Sequence, residues 1–198
     1  MGGSYCEAAL GHPWHGPYHD TEYGFPISDE DALFERLMLE INQAGLSWLT
    51  VLKKRAAFQA AFDGFSVDRV AAYGEVEVAR LMADPGIIRN RLKIEAAIAN
   101  ARTVQQLRAS HGGFKAWLDA HHPLPKAEWL KLFKRTFRFT GGEIVGEFLM
   151  SLGYLPGAHR PDCPVAETLR ATRVPWITAV EAGFTGYGAQ ALGEALPA

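Results

Sequence analysis

Apolar residues spaced three and four positions apart recur along most of the chain, and this spacing constrains the fold more than any other feature. In the run Asp29–Gln43, Leu33 and Leu37 share one helix face with Glu40. The apolar–polar alternation that is typical of half-buried strands is scarce. We therefore predict an all-α protein whose connections carry Gly, Pro and Asp.

Breaks in this pattern predict where the helices begin and end. The first 27 residues are rich in Gly, Pro, His and aromatic residues, and we expect them to be loop-like. Ser28 with Asp31 three residues later is typical of a capping-box helix start, and Gly45 ends that first helix. Further helices are predicted over Leu46–Phe58, Val67–Tyr73, Glu75–Met82, Arg89–Leu107, Gly113–Ala120, Ala127–Lys134, Gly141–Ser151, Thr178–Gly183 and Gly188–Leu196.

Composition limits the classes of protein that this chain can belong to. With 198 residues, 48% of them hydrophobic and 21% charged, it is typical of a single globular domain. No apolar run approaches the ~18 residues of a membrane span, and Met1–Tyr5 does not resemble a signal peptide, so we expect no membrane partner and a cytoplasmic location. Because the formal net charge is -2, any binding of nucleic acid must depend on local basic clusters.

The two cysteines, Cys6 and Cys163, are better explained as metal ligands than as a disulfide in a reducing compartment. His159 precedes Cys163 by four residues, which places both side chains on one face of a helix or compact turn. With His19, the set offers four ligands for tetrahedral Zn²⁺. Four protein ligands leave no open position, so such a zinc would be structural.

The sequence also allows other interpretations of these residues. The cysteines can instead be two unrelated buried side chains, because a lone cysteine usually behaves as a small hydrophobe. His12 or His15 can replace His19 as a ligand, and Asp162 is a weaker competitor near the other end.

Four blocks of sequence occur in order along the chain: Tyr-His-Asp-Thr-Glu-Tyr-Gly at 18–24, Leu-Glu-Ile-Asn-Gln-Ala-Gly-Leu-Ser-Trp at 39–48, Thr-Val-Leu-Lys-Lys-Arg at 50–55 and Gly-Ile-Ile-Arg-Asn-Arg-Leu-Lys-Ile at 86–94. Together they resemble the 3-methyladenine DNA glycosylase I family. The spacing of the cysteines and histidines is similar to the family's zinc set. Several ordered blocks are far more specific than any single motif.

This resemblance implies a helix-hairpin-helix glycosylase fold in which residues 1–198 form one domain with two helical lobes. Residues 164–198 would be a tail without an assigned role. A structural zinc, held by Cys6, His19, His159 and Cys163, would join the N- and C-terminal segments. The implied activity is monofunctional hydrolysis of the N-glycosidic bond of an alkylated purine, with 3-methyladenine first, in base excision repair of damaged double-stranded DNA by a monomer.

The resemblance also assigns the residues that recognise and release the base. Glu40 would accept hydrogen bonds from the flipped base and act as the catalytic residue, whereas its position alone would favour a solvent-facing glutamate. The aromatic faces of Trp48 and Tyr18 would hold the base, and Tyr23 would form part of the wall or support it. Since the alkylated base is cationic, it is already a good leaving group. Asp162 lies between His159 and Cys163 in the chain, so if both bind zinc it is expected to be too constrained to act in catalysis.

One departure from the family concerns substrate choice. Two residues after Cys6, where the family often has a stacking Trp, this chain has Ala8. Trp14 or His15 of the same segment can supply a replacement. The loss of a stacking partner worth ~1–3 kcal/mol makes a different lesion the main alternative substrate.

DNA contacts are expected from two elements. Gly45 and Leu46 would form a turn that probes the gap left by the flipped nucleotide. A hairpin with Arg135 and Arg138 before Gly141 and Gly142 would hold a phosphate at the start of the next helix. An ordinary helical pair with a solvated basic face is the alternative.

No lysine stands just after the hairpin glycine, so no lyase step is expected. A DNA-binding module without activity and a zinc-stabilised structural protein are the remaining hypotheses.

Overall fold

The computed structural model describes residues 4–189 and 191–192, and the regular elements of that part are all helical. The predicted all-α class is therefore confirmed for those residues. In chain order the elements are α1 (Tyr5–Ala9), α2 (His15–Thr21), α3 (Glu30–Gln43), α4 (Trp48–Ala61), a 3₁₀ turn (Asp63–Phe65), α5 (Val67–Ala71), α6 (Glu75–Ala83), α7 (Arg91–His111), α8 (Phe114–His121), α9 (Lys126–Thr136), α10 (Gly142–Ser151), α11 (Pro164–Thr172) and α12 (Pro175–Glu181).

The chain divides into two compact units. The terminal unit comprises Met1–Pro26, His121–Trp129 and Val145–Ala198, and the central unit comprises Ile27–Ala120 and Leu130–Ile144. Helices α9 and α10 contribute residues to both. None of the described helices combines the length and the hydropathy that crossing a membrane requires.

Helix α3 of the central unit is buried on all sides for most of its length. Every residue of Leu33–Asn42 is buried, so the predicted apolar face is present and the opposite face is covered as well. Burying a charged side chain is costly unless it finds partners. Glu35 on this helix finds them, because its Oε1 accepts hydrogen bonds from Arg55 Nε at 2.7 Å and from Gln59 Nε2 at 2.9 Å.

The start of α3 differs by one residue from the sequence prediction. The N-cap is Asp29, whose carboxylate accepts a hydrogen bond from the backbone N–H of Ala32 at 2.8 Å, and not Ser28. Asp31 does not close a capping box with Ser28. Its carboxylate accepts the backbone N–H of Val67 at 2.8 Å and so fixes the start of α5.

The prediction that the first 27 residues are loop-like is wrong, because α1 and α2 lie within them. Ser4 caps α1 by accepting the backbone N–H of Glu7. Helices of five and seven residues are too short to be stable alone, and the Gly and Pro residues around them hide their periodicity. Contacts within the terminal unit stabilise them instead.

The C-terminal tail folds onto the N-terminal segment within the terminal unit. Helix α11 was not predicted, although Pro164 at its first position is a recognised helix-start signal. An apolar cluster on α11 and α12 packs against Phe25, and its buried members are Leu169, Val174, Trp176 and Ile177. Gly153 belongs to this packing, because its φ is +71° and a Cβ would lie 2.8 Å from the carbonyl oxygen of Gly24. The predicted short helix Gly188–Leu196 includes Gln190 and residues 193–196, which lie outside the described residues.

Candidate functional site

Four potential metal ligands converge in the terminal unit. Their ligand atoms, on Cys6, His19, His159 and Cys163, all lie within 4.8 Å of one another. His159 Nδ1 is 3.1 Å from His19 Nε2, 3.5 Å from Cys163 Sγ and 3.9 Å from Cys6 Sγ. The two cysteines are free thiols. The predicted ligand set is therefore assembled, and it could hold a metal ion.

The remaining ring nitrogens of the two histidines are already engaged, which orients both rings. His159 Nε2 donates to the carbonyl oxygen of Tyr23 at 2.7 Å, and His19 Nδ1 donates to Asp20 Oδ1 at 2.7 Å. These bonds leave lone pairs on His159 Nδ1 and His19 Nε2, which face each other and the two thiols. This is the arrangement in which outer hydrogen bonds orient histidine ligands toward a cation.

Burial affects the ionisation of this cluster. It lowers the pKa of His159, which favours the neutral ring that a metal requires. Burial also raises the pKa of the Cys6 thiol, partly offset by a hydrogen bond from the backbone of Arg160. A bound cation would act in the opposite direction on that thiol, since a coordinating thiol is deprotonated.

The competing ligands considered from sequence have other contacts. His12 Nδ1 accepts the backbone N–H groups of Trp14 and His15, both at 3.1 Å. His15 Nδ1 lies 3.1 Å from the hydroxyl of Tyr5. Asp162 is exposed and pairs with Arg160 at 3.0 Å. Among the described residues, none of these belongs to the four-residue cluster.

The aromatic candidates Tyr18 and Tyr23 lie beside this cluster. Both are buried, and their ring centroids are 5.7 Å apart. The Tyr23 hydroxyl donates to Glu147 Oε2 at 3.0 Å, and its carbonyl accepts from His159. Tyr23 is thereby tied to a metal-ligand candidate at one end and to a carboxylate at the other, which favours a supporting role over the alternative of a pocket wall.

The segment that carries Ala8 contains an aromatic residue that sequence reasoning missed. Ala8 is exposed on α1, and Tyr5 precedes it by one helical turn. The Tyr5 ring packs edge-on against Tyr23, with centroids 5.3 Å apart. Of the two replacements considered from sequence, Trp14 is 45% exposed and His15 packs edge-on against Tyr5. The i, i+3 relation between Tyr5 and Ala8 was the available signal.

The remaining candidates for base recognition lie in the central unit. Glu40 is 4% exposed and sits in the last turn of α3, which rules out the solvent-facing alternative. Trp48 is half-buried and begins α4, where Ser47 is the N-cap. Leu46 therefore lies in the turn and not in the helix that was predicted to begin there. This turn has Gly45 at φ +82° and leaves Leu46 44% exposed.

Two buried polar residues on α7 contact the candidate DNA-binding loops, and neither was given this role from the sequence. Lys93 donates to the carbonyl oxygens of Asn42 and Ala44, at the end of α3. Asn100 exchanges two hydrogen bonds with the backbone of Arg138. No local signal distinguishes them, because a lysine and an asparagine in a long helix usually face solvent.

Where a hairpin was predicted, residues 137–141 connect α9 to α10. Arg135 belongs to the last turn of α9 and not to the hairpin, whereas Arg138 lies within the hairpin, and both are exposed. The hydroxyl of Thr140 donates to the carbonyl oxygens of Phe133 and Phe137, each at 3.2 Å, which closes the turn. Gly141 borders open space and Gly142 begins α10. The start of this helix is thus accessible to a ligand.

Comparison with known protein families gives a match over more than half of the chain. A sequence profile of the family described as methyladenine glycosylase matches residues 9–129. The chain is 39% identical over 160 residues to DNA-3-methyladenine glycosylase 1 of Escherichia coli (strain K12), covering 71% of this chain and 86% of that protein.

Solved structures agree with this match. One is a variant of 3-methyladenine DNA glycosylase I in complex with 3-methyladenine, with a TM-score of 0.73 and 33% identity, covering 80% of this chain and 96% of that one. Another is 3-methyladenine DNA glycosylase I from Staphylococcus aureus, solved to explain 3-methyladenine recognition. It has a TM-score of 0.72 and 32% identity, and the match covers 82% of this chain and 97% of that one.

Proposed function

Because the chain belongs to the methyladenine glycosylase family, we propose that it hydrolyses the N-glycosidic bond of 3-methyladenine in damaged double-stranded DNA, the first step of base excision repair. Its similarity to an enzyme solved in complex with 3-methyladenine carries this proposal. The buried carboxylate of Glu40 within a matching sequence block supports it.

The chemistry requires little from the protein beyond binding and orientation. The bond between C1′ and the base breaks, its electron pair goes to the cationic base, and neutral 3-methyladenine leaves. Water then adds to C1′ and loses a proton, which gives an abasic site. We propose that Glu40 accepts hydrogen bonds from the flipped base and so holds it in the orientation from which it leaves. In the central unit, the face of Trp48 would contact the base. Contact of Tyr18 with the base, supported by Tyr23, stays a prediction.

We propose that the metal is zinc and that it is structural. Two thiolates and two imidazoles suit zinc, and a tetrahedral zinc site has edges of about 3.3–3.8 Å between ligand atoms. The distances of 3.1, 3.5, 3.7 and 3.9 Å among the four side chains lie in or within 0.2 Å of that range, and every pair of ligand atoms lies within 4.8 Å. Bound there, zinc would link α1 and α2 to the residues before α11. All four positions would be filled by protein, so the metal supplies stability and not a reactive water.

The proposed DNA-binding elements are the hairpin and the turn before α4. We propose that α9, the hairpin and α10 form a helix-hairpin-helix element that holds a phosphate through the backbone at Gly141 and Gly142, with Arg135 and Arg138 beside it. Leu46, with Gly45, would enter the gap in the duplex. The arrangement of 1–198 as one domain with two lobes, the monomeric state and the cytoplasmic location stay predictions.

Assay of released bases tests the proposed activity directly. DNA methylated by a nitrosourea is incubated with the protein, and the released bases are separated by chromatography. We expect 3-methyladenine to be released. Binding to duplex DNA without release of any base would favour the inactive binding module. If the protein neither binds duplex DNA nor releases a base, the hypothesis of a zinc-stabilised structural protein is favoured.

A different lesion is the second candidate substrate, and the exposed Ala8 favours it. If an aromatic wall that the family often has is missing, a base of another shape can be accommodated. A panel of oligonucleotides carrying single damaged bases decides between the two. Preferential release of another base, with slow release of 3-methyladenine, would support this alternative.

Neutralising Arg138 should weaken DNA binding independently of sequence. Each phosphate contact contributes about 0.9 to the slope of log affinity against log salt concentration, so Arg138→Gln should lower the slope by roughly that amount. Fluorescence anisotropy on a duplex with an abasic analogue, over a series of salt concentrations, measures it. Arg173→Gln is the matched control, since Arg173 is exposed and pairs with Glu181 at 2.6 Å. Equal slopes for both variants would show that the hairpin does not contact phosphate.

A further inference from the structure

Helix α7 holds both proposed DNA-contacting loops of the central unit through buried polar side chains. Lys93 reaches the turn between α3 and α4, and Asn100 reaches the hairpin. We infer that Lys93 and Asn100 are positioning residues. They fix the wedge turn (residues 44–47, with Leu46 as the proposed wedge) and the hairpin (residues 137–141) at a set spacing for binding to duplex DNA. This inference rests on the proposed function, because it assigns these loops to DNA.

The contacts of Lys93 fix the backbone immediately before the wedge. Its Nζ donates to the carbonyl oxygen of Asn42 at 3.0 Å and to that of Ala44 at 2.8 Å. These are carbonyls at the C-terminal end of α3, where a cation is favourable. Lys93 is 6% exposed, and burial lowers its pKa, so the two acceptors compensate for the loss of water around the ammonium group. Leu46 follows Ala44 by two residues.

The contacts of Asn100 fix the hairpin in the same way. Its Nδ2 donates to the carbonyl oxygen of Arg138 at 3.0 Å, and its Oδ1 accepts the backbone N–H of Arg138 at 2.7 Å. Asn100 is completely buried, so both bonds are shielded from water. The next residue, Phe139, is 41% exposed and has φ +61°, an uncommon conformation for a bulky side chain. A backbone held in this conformation needs such support.

The two positioning residues, each of which acts as a clamp on the backbone of one loop, lie on one face of α7. Asn100 lies seven positions after Lys93, which is close to two helical turns and about 10 Å along the axis. Lys93 also lies over the ring of Phe139, with Nζ 5.9 Å from its centroid, so it contacts both loops. Helix α7 thus holds the backbone beside both exposed apolar side chains, Leu46 and Phe139, and so sets their separation. Binding groups held in place before binding lose less entropy when the complex forms.

Lys93→Met tests the clamp on the wedge turn with a side chain of similar length and no charge. Single-turnover release of 3-methyladenine from duplex DNA should fall about tenfold or more, because hydrogen bonds from a charged donor are lost. Affinity for free 3-methyladenine should not change, since no duplex has to be opened. Lys93→Arg should recover part of the rate. Lys115→Met is the matched control, since Lys115 is partly exposed and pairs with Asp119 at 2.6 Å.

A double-mutant cycle separates positioning from general stability. If Lys93 acts through the wedge, Lys93→Met should add little to the defect of Leu46→Ala. Asn100→Leu should weaken binding to a duplex with an abasic analogue and again leave free-base affinity unchanged. Free-base affinity that falls in parallel with excision would reduce both residues to a structural role and overturn the inference. Normal excision by both variants would also overturn it. Failure of the wild type to release any base would instead contradict the proposed function.

Discussion

Glu40→Gln is expected to lower the rate of 3-methyladenine release from duplex DNA by roughly 100-fold, because a charged acceptor preorganised at the base is lost. The substitution keeps the size of the side chain but replaces one acceptor oxygen by a donor. It also removes the negative charge that would attract the cationic base into the site. Single-turnover excision, measured with enzyme in excess, reports this step without product release.

Glu35→Gln provides a control on the same helix. Glu35 is 8% exposed, comparable to Glu40 at 4%, but it is held by Arg55 and Gln59. Breaking a buried ion pair is destabilising, so Glu35→Gln should lower the melting temperature while the folded fraction keeps its excision rate. If both variants lose excision to the same extent, the effect of Glu40 is one of folding, and its assignment to the base is wrong.

The helical architecture was predictable because most helices of this chain are long enough to repeat their apolar spacing. The longer helices α3, α4 and α7 fall within a few residues of their predicted bounds. The short helices α1 and α2 were missed, because α1 has only five residues, α2 contains Gly, Pro and His, and the stability of both comes from tertiary contacts. The cap of α3 moved from Ser28 to Asp29 because Asp31, the presumed partner of Ser28, is used by the N–H of Val67.

The candidate metal ligands were predictable from residue type, since a chain with two cysteines and a few histidines offers few complete sets. What orients them was not. The carbonyl of Tyr23 that fixes His159 lies 136 residues away in the chain, and no spacing rule connects the two. The clamps by Lys93 and Asn100 are similarly long-range, at 51 and 38 residues from their acceptors. Because every residue has a backbone carbonyl, the identity of the acceptor residue does not reveal such a hydrogen bond.

Removal of the proposed zinc should have the largest effect on stability. Purified protein is expected to contain about one zinc per chain, and Cys163→Ser should lose it. Structural zinc sites contribute several kcal/mol, and each kcal/mol shifts the melting temperature of a domain of this size by about 2–4 °C, so a fall of roughly 10 °C or more is expected. Elemental analysis and thermal unfolding, with and without a chelator, measure the two effects.

A histidine close to the cluster supplies the control for this experiment. His15→Gln alters a ring that contacts Tyr5 but lies outside the four-ligand set, so the variant should keep its zinc. The chelator should destabilise the wild type and His15→Gln alike, but should not affect Cys163→Ser, which has no metal left to lose. Stoichiometric zinc in Cys163→Ser, or a wild type without metal after growth in zinc-replete medium, would contradict the assignment. Because all four ligands come from the terminal unit, the excision rate at temperatures where that unit stays folded should change less than the melting temperature does.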